Sequence, residues 1–184
     1  MSLNQPLSDR LDEIGKMMDL LGEDSFRANA HLRAARAVAD MSGDIAQLAA
    51  DRPALLKVEG IGPKMADKII EFCNTGAIQE HIDLRARVPG GLLQLLQVPG
   101  LGPKTVRAMW VDLKISDPAG LKKAIDDGSL LTLPRMGAKA VEKIKTALAF
   151  AMTAEPRLWL GRGDELAATF LERLAKHEAV ARVE

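Results

Sequence analysis

Lys64, Lys104 and Lys139 each stand two residues after a glycine, and each glycine closes a short turn that follows an apolar run. The segments are LLKVEGIGPKMADKIIEF from Leu55, LLQVPGLGPKTVRAMWVD from Leu95 and LLTLPRMGAKAVEKIKTA from Leu130. In the first two, Gly60 and Gly62 flank Ile61, and Gly100 and Gly102 flank Leu101. Glycine permits positive φ and lets a second backbone come close. The apolar residue between the glycines is expected to plug the space between two helices. Pro63 and Pro103 follow, suited to a first helical position where a missing N–H and a fixed φ cost little. Each turn therefore delivers a helix start whose unpaired N–H groups point outward, and such an end attracts anions. A lysine in that first turn opposes the helix dipole by about 0.3–1 kcal/mol. Three such lysines make sense if an anion completes each site. Solvated surface lysines that tolerate the small cost are the other reading. In the third copy Arg135 replaces the first glycine and Gly137 keeps the second. The same shape is expected there, with a weaker or different anion contact.

The elements that must hold these turns are helical. Ala and Leu dominate and runs of β-branched residues are absent, so an all-α chain is predicted. The first five residues are expected to be disordered. Ser8 is expected to cap a helix carrying Leu11, Ile14, Met17, Met18 and Leu21, with Gly22 ending it. Asp24 or Ser25 caps the next, to about Met41. A short helix over 44–50 precedes Pro53. The first hairpin's second helix runs from Pro63 to about Asn74, Thr75-Gly76 closes it, and 79–87 forms a further short helix or turn. Val88-Pro-Gly-Gly91 is the best boundary between two small domains, at 1–88 and 92–156. Ser116-Asp-Pro-Ala caps a helix to about Asp127, and a helix from about Pro134 reaches Thr153. A final helix near Asp164 to His177 and a strand-like 179–184 complete the segment 157–184. Cys73 lies on the apolar side of its helix and is expected to be a buried thiol. As the lone cysteine it makes no internal disulfide, and a zinc site is disfavoured.

Apolar run, glycine turn and lysine-bearing helix together form the helix-hairpin-helix pattern, whose chemistry is a grip on a phosphate backbone. The copies start 40 and then 35 residues apart, so they are duplicated hairpins and not a solenoid. Lys plus Arg is 25 and Asp plus Glu is 25, which argues against a strongly basic duplex binder and fits a few local contacts to backbone phosphates. Such contacts position a protein without reading bases. No signal peptide and no apolar stretch near a membrane span is evident, so a cytoplasmic monomer with no membrane partner is expected.

The segments LLGEDSFRANAHLRAARAV and LLKVEGIGPKMADKIIEFCNTG resemble the N-terminal lyase domain of family X DNA polymerases, the group of DNA polymerase beta. The second and third hairpins resemble that family's next subdomain, which grips duplex beyond a gap. Residues 157–184 resemble the lead-in to the palm. Bacterial members are most similar, and many carry a phosphoesterase domain after the palm. The resemblance implies a protein of base excision repair that binds gapped, nicked or 5′-phosphate-bearing DNA. It implies that Lys68, in KMADKII, forms a Schiff base with the aldehyde of a 5′-deoxyribose phosphate, and that Lys64 contacts phosphate. On a helical wheel Met65, Ala66, Ile69, Ile70, Phe72 and Cys73 make the apolar face, with Lys68 at its border beside Phe72. Partial desolvation there, with Lys64 one turn away as like charge, would favour a neutral amine. An ordinary flank lysine whose stem covers Phe72 is the plain alternative.

The family's tyrosine near the Schiff-base lysine is replaced at the matching position by His31, and the chain has no Tyr. His31 could bind a 5′-phosphate or move protons near neutral pH, or simply pack beside Ala35 and Val38. Arg27, Arg33 and Arg36 are candidate 5′-phosphate contacts, or solvated helix arginines. The resemblance also implies a monovalent cation, Na+ or K+, on backbone carbonyls of Leu56, Val58 and Ile61 in the first hairpin and Leu96, Val98 and Leu101 in the second. Mg2+ is expected only with the palm, whose paired aspartates are absent from this chain, so this segment is not by itself a polymerase. Two other readings stay open. One is a non-catalytic DNA-binding module of another repair protein, such as a ligase or junction-binding subunit. The other is a protein-interaction module, favoured by the neutral charge.

Overall fold

The first helix, α1 (Asn4–Leu21), starts earlier than Ser8. Asn4 ties its beginning down: its Nδ2 donates to the carbonyls of Met41 (3.3 Å) and Gly43 (2.7 Å), and its Oδ1 accepts from the Ile45 N–H (2.9 Å). These three bonds to the chain more than 36 residues away explain why the residues expected to be disordered are helical from Asn4. Ser8 is not a cap. It lies buried inside α1 and donates to the Ala35 carbonyl at 2.8 Å. Gly22 ends α1 in the left-handed region, φ +70°, as its position predicts.

The computed structural model describes residues 2–134 and 136–153, and these belong to one packed unit. The final helix and strand-like end expected beyond Pro156 lie outside the described residues. α2 (Ser25–Ala39) is capped by Asp24, whose carboxylate accepts from the Phe26 N–H. α1 and α2 form the main helix pair. Gly15 makes it possible, since a Cβ there would sit 2.8 Å from Leu32 and 2.9 Å from the Ala28 carbonyl. Two short helices follow, α3 (Ile45–Ala49) and α4 (Arg52–Leu55), capped by Asp44 and Asp51. The short helix expected over 44–50 is α3, and Pro53 sits in the first turn of α4, where its ring is tolerated.

α5 (Pro63–Thr75) buries Met65, Ala66, Ile69 and Phe72, and Gly76 closes it at φ +74°. Cys73 is half-buried, not buried as expected, and partial burial pushes its thiol up from the ordinary value. α6 (Gln79–Arg87) packs against α1, joined by His81 Nε2 and Glu13 Oε2 at 2.6 Å. Burial raises the Glu13 carboxyl, but His81 together with the Arg85 and Arg10 charges outweighs it and leaves the group below its usual value.

α7 (Gly90–Leu95) begins inside the expected Val88–Gly91 boundary. Val88 is buried, and Gly91 lies so close to Ser116 and Asp117 that a Cβ would collide with both. α8 (Pro103–Leu113) follows the second hairpin turn, and α9 (Pro118–Asp126) is capped by Asp117. A 3-10 turn over Ser129–Thr132 leads to the third hairpin. α10 (Ala138–Thr153) starts four residues later than the expected Pro134, because Pro134 lies in the turn itself. α1 also packs against α8, so the two halves of the chain share a contact surface. Among the described residues every element is helical, as predicted.

Candidate nucleic-acid interface and the Lys68 site

The two glycine turns are the same backbone written twice. Gly60 has φ +89° and Gly100 φ +90°. Gly62 lies at φ −88°, ψ 176° and Gly102 at φ −87°, ψ 165°. In the first hairpin the Val58 N–H donates to the Leu55 carbonyl and the Ile61 N–H to the Val58 carbonyl, each at 3.1 Å. In the second, Val98 donates to Leu95 (3.1 Å) and Leu101 to Val98 (3.0 Å). The third repeats the pair with Leu133 to Leu130 (3.3 Å) and Met136 to Leu133 (3.1 Å), despite the lost glycine. The plugs Ile61, Leu101 and Met136 are all buried.

Gly60 and Gly62 carry different requirements. Gly60 needs its positive φ. Gly62 and Gly102 have ordinary φ, and an added Cβ would meet nothing within 4 Å. Nothing inside the protein asks for glycine at 62 and 102. They are helix N-caps with no side-chain cap, so the first N–H groups of α5 and α8 are left for an outside acceptor. Lys64, Lys104 and Lys139 are all exposed beside these ends, as is Gly137, and none makes an ion pair among the described residues.

α2 backs the first hairpin, since a Cβ on Gly60 would lie 3.5 Å from the Arg33 carbonyl and 3.6 Å from Ala37. Arg33 and Arg36 are exposed and have no ion-pair partner among the described residues. Arg27 differs. Its Nη2 lies 2.8 Å from Glu80 Oε1, and its Nη1 3.8 Å from Glu23. The second hairpin helix faces the junction of α1 and α2 across a cleft of about 450 Å³ lined by Asp19, Glu23, Lys104 and Arg107.

Lys68 and His31, far apart in sequence, come together. Lys68 Nζ is 3.1 Å from His31 Nε2 and 2.7 Å from Glu80 Oε2. His31 is almost fully buried, with its Nδ1 2.8 Å from the Arg27 carbonyl and its Nε2 3.0 Å from Glu80 Oε2. A carbonyl can only accept, so Nδ1 carries a hydrogen. Neutral His31 then offers the Nε2 lone pair to the Lys68 ammonium. Protonated His31 instead donates Nε2–H to Glu80. One proton can thus be held at either of two neighbouring bases. The hydrogen bond from His31 is the strongest influence on the Glu80 carboxyl. Burial opposes it, Lys68 reinforces it, and the group is held at about 2.

The local electrostatics correct the sequence reading of Lys68. That reading had only Lys64 as a charged neighbour; the residue in contact is an anion, and an amine nucleophile must leave that ion pair. Glu80 was missed because no spacing links it to the hairpin. It sits in the first turn of α6, and the packing of α6 against α1 brings its side chain to Arg27 and His31 of α2 and Lys68 of α5. Among the described residues no group of His, Cys, Asp and Glu could hold a metal ion. No described helix is long and apolar enough to cross a membrane.

A helix-hairpin-helix domain model matches residues 2–78, and a SAM-like helix-hairpin-helix tandem model matches residues 92–149. The fold and both turns therefore define a protein of two helix-hairpin-helix domains. The chain is 28% identical over 166 residues to the DNA polymerase/3′-5′ exonuclease PolX of Bacillus subtilis (strain 168), covering 90% of this chain and 28% of that protein. These similarities bear out the resemblance to the N-terminal region of a bacterial family X DNA polymerase. The chain is also 32% identical over 102 residues to the Holliday junction branch migration complex subunit RuvA of Treponema pallidum (strain Nichols), covering 51% of this chain and 43% of that subunit. To the same subunit of Prochlorococcus marinus (strain MIT 9313) it is 38% identical over 60 residues, covering 33% and 24%. The chain thus spans less than half the length of each of these relatives.

Proposed function

We propose that this chain binds the sugar–phosphate backbone of DNA without reading base sequence, as the N-terminal part of a family X DNA polymerase that acts on gapped or nicked DNA in base excision repair. The observation that carries this reading is the pair of matching turns. Each presents uncapped helix N–H groups and a lysine with no ion pair among the described residues, at a glycine that the fold itself does not require. Phosphate oxygens supply what both lack.

The finer part of the proposal is a 5′-deoxyribose-phosphate lyase with Lys68 as nucleophile. Its ammonium must first lose a proton, and His31 Nε2, 3.1 Å away, is within reach to take it. The amine then attacks the C1′ aldehyde carbon, and loss of water leaves an imine. Removal of a C2′ proton sends electrons toward C3′, the C3′–O3′ bond breaks, and the oxygen departs with the phosphate of the downstream strand. Arg27, Arg33 and Arg36 would hold the 5′-phosphate of the sugar. Each hairpin would add Na+ or K+ on its carbonyls, those of Leu56, Val58 and Ile61 and of Leu96, Val98 and Leu101. The Val58 and Val98 carbonyls each accept one turn hydrogen bond and keep a second lone pair for a cation.

Borohydride trapping on gapped DNA bearing a 5′-deoxyribose phosphate tests the lyase. A covalent adduct that disappears in Lys68→Ala is expected. No adduct while gapped DNA still binds would remove the lyase and leave the DNA grip. The similarity to RuvA favours a second reading, a four-way-junction module. Tighter binding to a four-way junction than to gapped duplex would select it.

A further inference from the structure

Three side chains of different chemistry converge on the Glu80 carboxylate: the Arg27 guanidinium on Oε1 at 2.8 Å, and the Lys68 ammonium (2.7 Å) and His31 imidazole (3.0 Å) on Oε2. They come from α2 and α5, while the anion comes from α6. A guanidinium, an ammonium and an imidazole set around one anionic group form the donor set that a phosphomonoester needs. Arg27 and Glu80 are partly exposed, 52% and 23%, so the cradle opens to solvent; His31 forms its floor at 2%. We propose that in the free protein Glu80 occupies the 5′-phosphate position on Arg27 and His31, beside Lys68, so that an incoming DNA 5′-phosphate must displace this carboxylate and free the lysine. The inference rests on the DNA-binding reading above and adds a specificity-determining residue to it.

The displacement has a defined consequence. While Glu80 is in place, Lys68 is ion-paired and Arg27 is engaged, so a DNA end without a 5′-phosphate leaves the amine locked. A terminal phosphate replaces the carboxylate on Arg27 and His31, and α6 releases Lys68. Glu80 therefore acts against 5′-phosphate binding. This is the opposite sign from a catalytic base, whose loss would weaken the site's activity, and from a purely structural clamp, whose loss would not change the preference between DNA ends.

The experiment compares the full chain with Glu80→Gln and Glu80→Asp on gapped duplexes that differ only in a 5′-phosphate or 5′-hydroxyl on the downstream strand. Circular dichroism melts establish that each variant is folded. The expected result is a 5′-phosphate preference about tenfold larger in Glu80→Gln than in the parent, the effect of one charge-assisted hydrogen bond. Glu80→Asp, with its carboxylate drawn back, is expected in between. Faster borohydride trapping by Glu80→Gln is expected from the same cause. An unchanged or smaller preference in folded Glu80→Gln overturns the inference while leaving the DNA grip intact. If none of the proteins binds either duplex, the DNA-binding reading fails, and titration with inorganic phosphate decides the site separately. Saturable movement of the His31 ring NMR signals in Glu80→Gln but not in the parent upholds it; movement in neither, or equally in both, overturns it.

Discussion

Lys68 is 17% exposed, and what lies over it is Glu80 rather than more apolar surface. The Glu80 carboxyl, at about 2 in the folded chain against 4.5 as its ordinary value, links that contact to pH. A depressed carboxyl stabilises the fold fully above the ordinary value, and the contribution is lost as pH falls toward the folded one. Glu80→Gln should therefore lower stability by about 1–3 kcal/mol at neutral pH, the cost of leaving buried partners unsatisfied. The gap between parent and variant melting temperatures should close between about pH 4.5 and 2. Melts across that range check this. A gap that stays constant would mean that the carboxylate charge plays no part.

The elements meet through glycines with different tasks. Gly100→Ala forces a side chain into φ +90°, which costs about 1–2 kcal/mol. Gly102→Ala has ordinary φ and open space around it, so its stability cost should stay within about 1 kcal/mol, the N-cap preference. DNA affinity should show the reverse order once each variant is compared fully folded. Gly102→Ala blocks the close approach of a phosphate, whereas Gly100→Ala alters only the fold. Equal affinity of Gly102→Ala and parent would show that the helix end does not meet DNA. At the pairing of α1 and α2, Gly15→Ala should destabilise by about 1–3 kcal/mol although alanine favours helix. The added methyl would press on the Ala28 backbone, which cannot swing aside as a side chain can.

Over the whole molecule, 25 basic and 25 acidic residues cancel, so binding cannot rest on a general positive field. It must come from a few local contacts. If Lys64, Lys104 and Lys139 each neutralise one phosphate, log K should fall against log salt with a slope of about −2.7. Removing any one lysine should flatten the slope by about 1. Titrations of gapped duplex at several salt concentrations measure this. A slope that ignores all three substitutions would assign the grip to other cations. Arg33 and Arg36, exposed and without an ion pair among the described residues, would be the first to replace in turn.

The hairpins were legible in the sequence because their chemistry is local. Gly-apolar-Gly-Pro-Lys specifies a positive φ, a buried plug and an uncapped helix start within a single short turn, and the structure returns the two turns with nearly identical dihedral angles. Helix ends at Asp24, Asp44, Gly22, Gly76 and Asp117 were readable for the same reason. Asn4 and Ser8 were not, since what fixes them is a bond to chain 27 or more residues away. The position of Lys68 on the edge of an amphipathic helix follows from its helical period, but its charge environment does not. Glu80 and His31 lie 12 and 37 positions from it in opposite directions, and no local rule joins them. Electrostatic neighbours act through space over a few ångströms, so only the tertiary fold, which brings side chains of α2, α5 and α6 to one point, could decide that the lysine faces an anion.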